Sequence, residues 1–284
     1  MKKIAILASL GALSLGVALS VSAPSLAQDN GKLEQLKEQG FARVAIANEP
    51  PYTAVAADGK VSGAGPDVTR EIFKRLGVPD LVASVSEYGA MIPGLQAGRF
   101  DVVSAGLMMK PERCGAVLYS EPMLCDADAF LVKKGNPKGI QSYEDIAKNP
   151  TSSVGGPGGG LQAKYAAQAG VPNDRLIVVP DAQSGLKMVQ DGRIDAYSLP
   201  ILSINDLVKK ANDPNLEVVL IKGSPVSCDG AAFKKGEEAL RDAFNVELAK
   251  MKKSGEFAKI IEPYGFSAAA AMSTSTEKLC ASAK

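Results

Sequence analysis

An eleven-residue pattern recurs along this chain and dictates much of its architecture. Gly94-Leu-Gln-Ala-Gly-Arg-Phe-Asp-Val-Val-Ser104 returns as Met188-Val-Gln-Asp-Gly-Arg-Ile-Asp-Ala-Tyr-Ser198, with Gln, Gly, Arg, Asp and Ser in register at an offset of 94 residues. Each copy reads as a helix that stops at a glycine and turns tightly into a buried strand. Two such joints predict two lobes of related α/β topology.

The flanking sequence agrees. Arg43–Ala47 reads as a strand, and Asp67–Leu76 as an amphipathic helix with Val68, Ile72, Phe73 and Leu76 on one face and Gly77 ending it. Strand Leu81–Val85, helix Ala90–Ala97 and strand Phe100–Ser104 follow, a βαβαβ order that predicts a parallel sheet covered by helices. Ser142 is suited to cap a helix over Tyr143–Lys148. Beyond it, strands are expected near Ser153-Val154, Leu176–Val179, Ile194–Tyr197 and Leu216–Ile221, with helices over Leu161–Gln168, Ala182–Gln190 and Ile201–Lys210. Gly230–Lys235 reads as a strand, Glu237–Ser254 and Glu256–Tyr264 as helices, and the Ala/Ser/Thr-rich tail after Phe266 as weakly ordered. The expected division is lobe 1 over 28–132 plus 226–284 and lobe 2 over 133–225. Hinge crossovers are expected near Phe130–Lys134 and Lys222–Ala232.

Residues 1–27 read as a cleaved secretory signal peptide: Lys2 and Lys3, an apolar run from Ile4 to Val21, and the small-x-small site Ser25-Leu26-Ala27. Its loss leaves 257 of 284 residues and turns a formal charge of +1 into −1, which gives no case for nucleic acid as a partner. No histidine is present, excluding a His general base, a Ser-His-Asp triad and His-ligated zinc. The cysteines, Cys114, Cys125, Cys228 and Cys280, form no CxxC pair, so disulfides are expected in an exported protein. Of three possible pairings we favour Cys228 with Cys280, which would pin the tail, and Cys114 with Cys125 as a local bridge.

In open α/β folds, ligands bind beyond the carboxyl ends of strands. Four places qualify. The first strand runs into Asn48-Glu49-Pro50-Pro51-Tyr52, where two prolines stiffen the loop that presents Glu49 and Tyr52. The second runs into Glu87-Tyr88-Gly89, and the third into Ser104–Met109 with Arg113 just beyond. An arginine at the mouth of a sheet suits two-point gripping of a carboxylate; the plainer alternative is a surface pair with Glu112 or Glu121. Gly155-Gly-Pro-Gly-Gly-Gly160 precedes a helix and can present backbone N–H groups to an anion. No Gly-Lys-Ser/Thr follows, so it is not a phosphate loop. One anionic group, one cationic group, two tyrosines and two methionines suit a small zwitterion with an apolar body. Tyrosine faces would add roughly 0.5–2 kcal/mol per cation contact.

The signal peptide, Asn48-Glu-Pro-Pro-Tyr52, Gly94–Asp101, Pro111-Glu-Arg-Cys114 and Ser120-Glu-Pro122 resemble the family 3 solute-binding proteins of ABC transporters, over essentially the whole mature chain. Lys110-Pro-Glu-Arg-Cys114, Phe130-Leu-Val-Lys-Lys-Gly-Asn-Pro137, Ser142–Pro150 and the cysteine near the C-terminus are most similar to the ectoine/hydroxyectoine-binding branch. The resemblance implies a two-lobed type II periplasmic-binding-protein fold with two hinge crossovers, a periplasmic address, a monomer, a membrane permease as partner, no cofactor and no catalysis. It further implies that Glu49 holds a delocalised cationic ring, that Arg113 holds a carboxylate, and that Tyr52 and Tyr88 are two of three aromatics boxing the ring. Met108 stands where the branch carries Phe, and Leu161, after Gly159 and Gly160, where it carries Thr. Ordinary amino-acid binders of the family carry an Asp where this chain has Pro200, which argues against a plain α-amino acid. A polar amino-acid or opine receptor is the alternative within the family, and a periplasmic dehydratase on the same fold a distant one.

Overall fold

Each repeated joint leads into the middle strand of a five-stranded sheet. The protein is described by a computed structural model over residues 31–281; the expected signal peptide lies outside the described residues. In spatial order, the first sheet comprises Asp80–Val85, Phe41–Ile46, Val102–Val103, Ala232–Phe233 and Leu118–Tyr119. The second comprises Leu176–Val179, Val154–Pro157, Ala196–Pro200, Asp128–Lys133 and Leu216–Leu220. The first three strands of each are parallel and the fourth runs antiparallel to its neighbours. The three strands of the βαβαβ order pair in parallel as expected, and the two strands beyond them make the sheet mixed. The antiparallel strand is the segment that has just arrived from the other lobe.

The echo has the same physical content in both lobes. Gly98 and Gly192 take left-handed φ values of +70° and +72°, closing helices Tyr88–Gln96 and Ala182–Gln190. The aspartate that follows ties the turn to the neighbouring strand. Asp101 accepts hydrogen bonds from the Arg43 N–H (2.8 Å) and Nε (2.9 Å), and Lys32 Nζ lies 2.6 Å away. Asp195 accepts from the Ser153 N–H (2.9 Å) and pairs with Lys138 at 2.9 Å. The closing serines anchor helices: Ser104 pairs with Thr69 at 2.9 Å and Ser198 with Tyr143 at 2.6 Å.

Both faces of the inner strands of each sheet are covered, while the edge strands Asp80–Val85, Leu176–Val179 and Leu216–Leu220 stay partly exposed. One face of the first sheet carries Val68, Ile72 and Phe73 of helix Ala64–Arg75 against Phe244 and Leu248 of helix Glu238–Ser254, and the other carries Met91, Leu95 and Tyr119. The second sheet has corresponding clusters around Leu186, Val189 and Ile204 and around Phe130, Tyr143 and Ile146. Helix Tyr143–Lys148 opens with the full capping box, Ser142 accepting from the Asp145 N–H and Asp145 accepting from the Ser142 N–H.

Three expectations are corrected. Strand Asp128–Lys133, which covers the crossover expected near Phe130–Lys134, pairs within the second sheet. The lobes are joined by the antiparallel pair Leu124–Asp126 and Ser227–Asp229, the latter inside the crossover expected near Lys222–Ala232, and we propose to divide the chain there. The disulfides are Cys125–Cys228 and Cys114–Cys280. Cys125 faces Cys228 across that pair with 4.0 Å between their Cα atoms, which leaves Cys114 and Cys280 to each other. The tail is ordered: Ala268–Met272 and Thr276–Cys280 are helices capped by Ser267 and Ser275. Thr276 Oγ1 donates to the Ser120 carbonyl at 2.6 Å, and Cys280 is bonded to Cys114. Among the described residues no helix is long and apolar enough to cross a membrane.

Asp101 is fully buried between two cations, so removing its charge leaves Arg43 and Lys32 without their partner. Asp101→Asn is expected to cost about 3 kcal/mol in denaturant unfolding. Asp195→Asn, at a carboxylate about a quarter exposed, is expected to cost less than half of that.

Candidate functional site

The carboxyl ends of the parallel strands of both lobes converge on one small interlobe cavity. Lobe 1 contributes Glu49, beyond strand Phe41–Ile46, and Tyr88, opening the helix after strand Asp80–Val85. It also contributes Gly106, Met108 and Arg113, beyond strand Val102–Val103. Lobe 2 contributes Pro157, Gly160, Leu161 and Gln162, beyond strand Val154–Pro157, and Pro200, ending strand Ala196–Pro200. The enclosed space is about 20 Å³, the room of a single water. A second space of about 70 Å³ adjoins it on the far side of Glu49 and Tyr88.

Glu49 is buried. Ser203 Oγ, from the first turn of helix Ile201–Ala211 in lobe 2, donates to Glu49 Oε1 at 2.8 Å. The Tyr88 hydroxyl lies 3.2 Å from Glu49 Oε2 and 2.9 Å from the Ala105 carbonyl, and its one proton serves one of them at a time. Burial raises the Glu49 carboxyl to about 7, against the lowering effect of the Ser203 and Tyr88 hydrogen bonds; Asp128 and Asp126 push it further up.

Arg113 sits in the short helix Pro111–Ala116, with Pro111 at its start, where a missing N–H costs nothing. Nη1 donates to the Met108 carbonyl and Nη2 to the Gly159 carbonyl of lobe 2, each at 2.9 Å. The alternative of a surface pair is not what forms: Glu112 pairs with Lys164 of lobe 2, and Glu121 accepts from the Thr276 N–H. Cys114, next in sequence to Arg113, is the residue bonded to the tail.

Two glycines let the lobes meet backbone to backbone. The Gly89 N–H donates to the Gly158 carbonyl at 3.4 Å, and a Cβ on Gly159 would lie 2.3 Å from the Gly89 nitrogen. Gly159, at φ +73°, also sits in the left-handed region.

Of the residues expected at the site, Glu49, Tyr88, Met108, Arg113, Gly160 and Leu161 line the cavity. Gly159 takes part through its carbonyl. Tyr52 does not line it. Its ring packs edge-on against Phe266 at 4.7 Å and lies under Gly106, where a Cβ would come within 2.9 Å of it. The Tyr52 hydroxyl is buried without a well-formed hydrogen bond, beside Asp126, whose carboxyl it stabilises. Ser203 and Gln162 escape sequence reasoning. Ser203 stands at an ordinary helix start, and its partner Glu49 is 154 residues away.

A site at facing strand ends, with an acid and a guanidinium presented from one lobe and closed by the other, defines a two-lobed solute-binding protein. The chain belongs to the bacterial extracellular solute-binding proteins, family 3, whose model matches residues 42–267. A crystal structure of EhuB in complex with hydroxyectoine is similar at 75% identity and a TM-score of 0.89, covering 90% of this chain and 100% of that one. The probable amino-acid ABC transporter periplasmic-binding protein y4tE of Sinorhizobium fredii (strain NBRC 101917 / NGR234) is 35% identical, over 94% of this chain and 92% of its own. The L-cystine-binding protein TcyJ of Escherichia coli (strain K12) is 28% identical, over 90% of this chain and 94% of its own. The family is one of solute-binding proteins rather than enzymes.

The buried acids of the site and hinge set a pH dependence of stability. Burial lifts Glu49 and Asp229 to about 7 and Asp126 and Asp128 to about 6, above their ordinary range. A raised carboxyl binds its proton more tightly in the folded protein, so its contribution is complete below the ordinary range and is lost as pH rises through 6 and 7. The melting temperature of the ligand-free protein is therefore expected to fall between about pH 5 and pH 7.5, with Asp229→Asn flattening the decline. A melting temperature that rises across that window contradicts the assignment.

Proposed function

We propose that this chain is the extracytoplasmic binding component of an ABC importer, exported to the periplasm, and that it takes a compact zwitterion, ectoine or 5-hydroxyectoine, between its lobes. The observation that carries this reading is the placing of the Glu49 carboxylate and the Arg113 guanidinium on the wall of one interlobe cavity. Arg113 is assigned the ligand's carboxylate, Glu49 its delocalised cation, Tyr88 a face of its ring, and Met108 and Leu161 its apolar body. The Gly159-Gly160 backbone closes over it. The 75% identity to EhuB, whose crystal structure contains hydroxyectoine, supports the choice of solute. Pro200, which lines the cavity and carries no charge, supports a ligand other than a plain α-amino acid.

The closed cavity admits one water, so the solute enters with the lobes parted at the paired crossover strands. It draws them together to the extent that it binds the closed form better. The closed shape is what a membrane permease would recognise.

Calorimetry with ectoine, hydroxyectoine and a panel of amino acids including cystine tests the reading. Heat from the two ectoines with little from the amino acids is expected; absence of binding to both ectoines sinks it. Arg113→Ala is expected to weaken binding by about 2–5 kcal/mol, the range for truncating one partner of a buried charge pair. Unchanged affinity would remove Arg113 from the carboxylate's grip.

A further inference from the structure

We propose that Ser203 is a positioning residue of the binding site, holding Glu49 aimed and anionic towards the ligand's cationic end only when the lobes are together. The proposal rests on the reading above and concerns a residue of the lobe opposite Glu49. Ser203 is 1% exposed and stands three residues beyond Pro200, which begins helix Ile201–Ala211, so the end of the second sheet's middle strand fixes its place. Its hydroxyl proton goes to Glu49 Oε1 at 2.8 Å.

The bond spans the cleft, since Glu49 belongs to the loop beyond the first lobe's strand Phe41–Ile46. It therefore exists only while the lobes are closed. A hydroxyl that donates to a carboxylate stabilises the ionised form. The other groups around Glu49 do little to help. Asp126, from the first crossover strand, and Asp128, from the strand after it, oppose ionisation. Tyr52, from the same loop, and Tyr197, from strand Ala196–Pro200, lie near enough to feel its charge, but neither donates to it. Tyr88 divides its proton between Glu49 and the Ala105 carbonyl. Ser203 is thus the donor committed to the anion, and closure couples the two events: the lobe that shuts over the solute supplies the hydrogen bond that keeps the acid charged.

The test uses the mature full chain, wild type against Ser203→Ala and Ser203→Thr. The first measurement is the Glu49 carboxyl midpoint in ectoine-saturated protein, whose lobes are closed, followed by carbon NMR of glutamate-labelled protein. The second is the affinity for ectoine by calorimetry from about pH 4 to pH 8. Ser203→Ala is expected to raise the closed-state Glu49 midpoint above that of wild type. A rise of about one unit weakens ectoine by up to about tenfold where the bound acid is ionised, and the gap narrows as pH falls below the bound midpoint. Ser203→Thr, which keeps the hydroxyl, restores both. An unmoved midpoint, or a loss of affinity equal at every pH, overturns the proposal and leaves Ser203 as a space-filling contact. If wild type takes neither ectoine, the ligand reading falls, and the midpoint read with whichever solute of the panel closes the lobes still decides whether Ser203 governs Glu49.

Discussion

Everything the cleft does depends on how the chain crosses between lobes. It crosses twice, as strands Leu124–Asp126 and Ser227–Asp229, hydrogen-bonded to each other and joined covalently by Cys125–Cys228. The Asp229 carboxylate accepts from the Leu124 N–H within this pair, and Asp126 accepts from the Leu202 N–H at the start of the second lobe's helix. Each crossover then becomes the antiparallel fourth strand of the sheet it enters. Bending at three-residue strands therefore moves whole sheets and leaves the packing inside each lobe alone. Glu49 and Arg113 stay fixed to one another because they hang from neighbouring strands of a single sheet. What bending changes is their distance from Ser203 and Gly159.

The partners of these two charges within the protein are neutral. Arg113 donates to two backbone carbonyls, and Glu49 accepts from hydroxyls. A carboxylate is a stronger acceptor for a guanidinium than a carbonyl is, and a cation a stronger partner for a carboxylate than a hydroxyl is. In the proposed role, a zwitterion gains at both ends relative to what the protein supplies, while a neutral solute gains at neither. The rim pair of Glu112 and Lys164 adds little by comparison, being about half exposed.

Legibility in the sequence followed the range over which each signal acts. Leu161–Gln168, Leu176–Val179 and Ala182–Gln190 are where pattern and breakers placed them, because flanking glycines, Pro180 and Asp181 act within one turn. Helix Ala64–Arg75 begins three residues before its expected start, since Pro66 is tolerated in a first turn. The crossover strands are too short to show periodicity, and their pairing joins positions 103 residues apart. The disulfide partners followed from that pairing and were hidden with it. The tail was misjudged from composition, although Ser267 and Ser275 carried local capping signals. At the site, strand ends pointed to Glu49, Tyr88 and Arg113 in one lobe. Tyr52 lies off the cavity because the absence of a side chain at Gly106 lets the backbone pass over its ring, and Ser203 is invisible without the opposite lobe.

The wall between the two charges is as informative as the charges. Met108 and Leu161 line the cavity and also belong to the apolar cluster that runs through lobe 1 towards Phe73 and Phe244. They come from opposite lobes, so closure completes an apolar surface as well as a polar one. Behind that surface Glu49 is buried and little screened by water, and it attracts a ligand charge more strongly than it would at the protein's exterior. The same exclusion is what lifts the Glu49 carboxyl to about 7 and makes its anion dependent on donors. Dryness thus strengthens the site and endangers it together. A second lobe that supplies both an apolar face, through Leu161, and a hydroxyl, through Ser203, meets both demands in one movement.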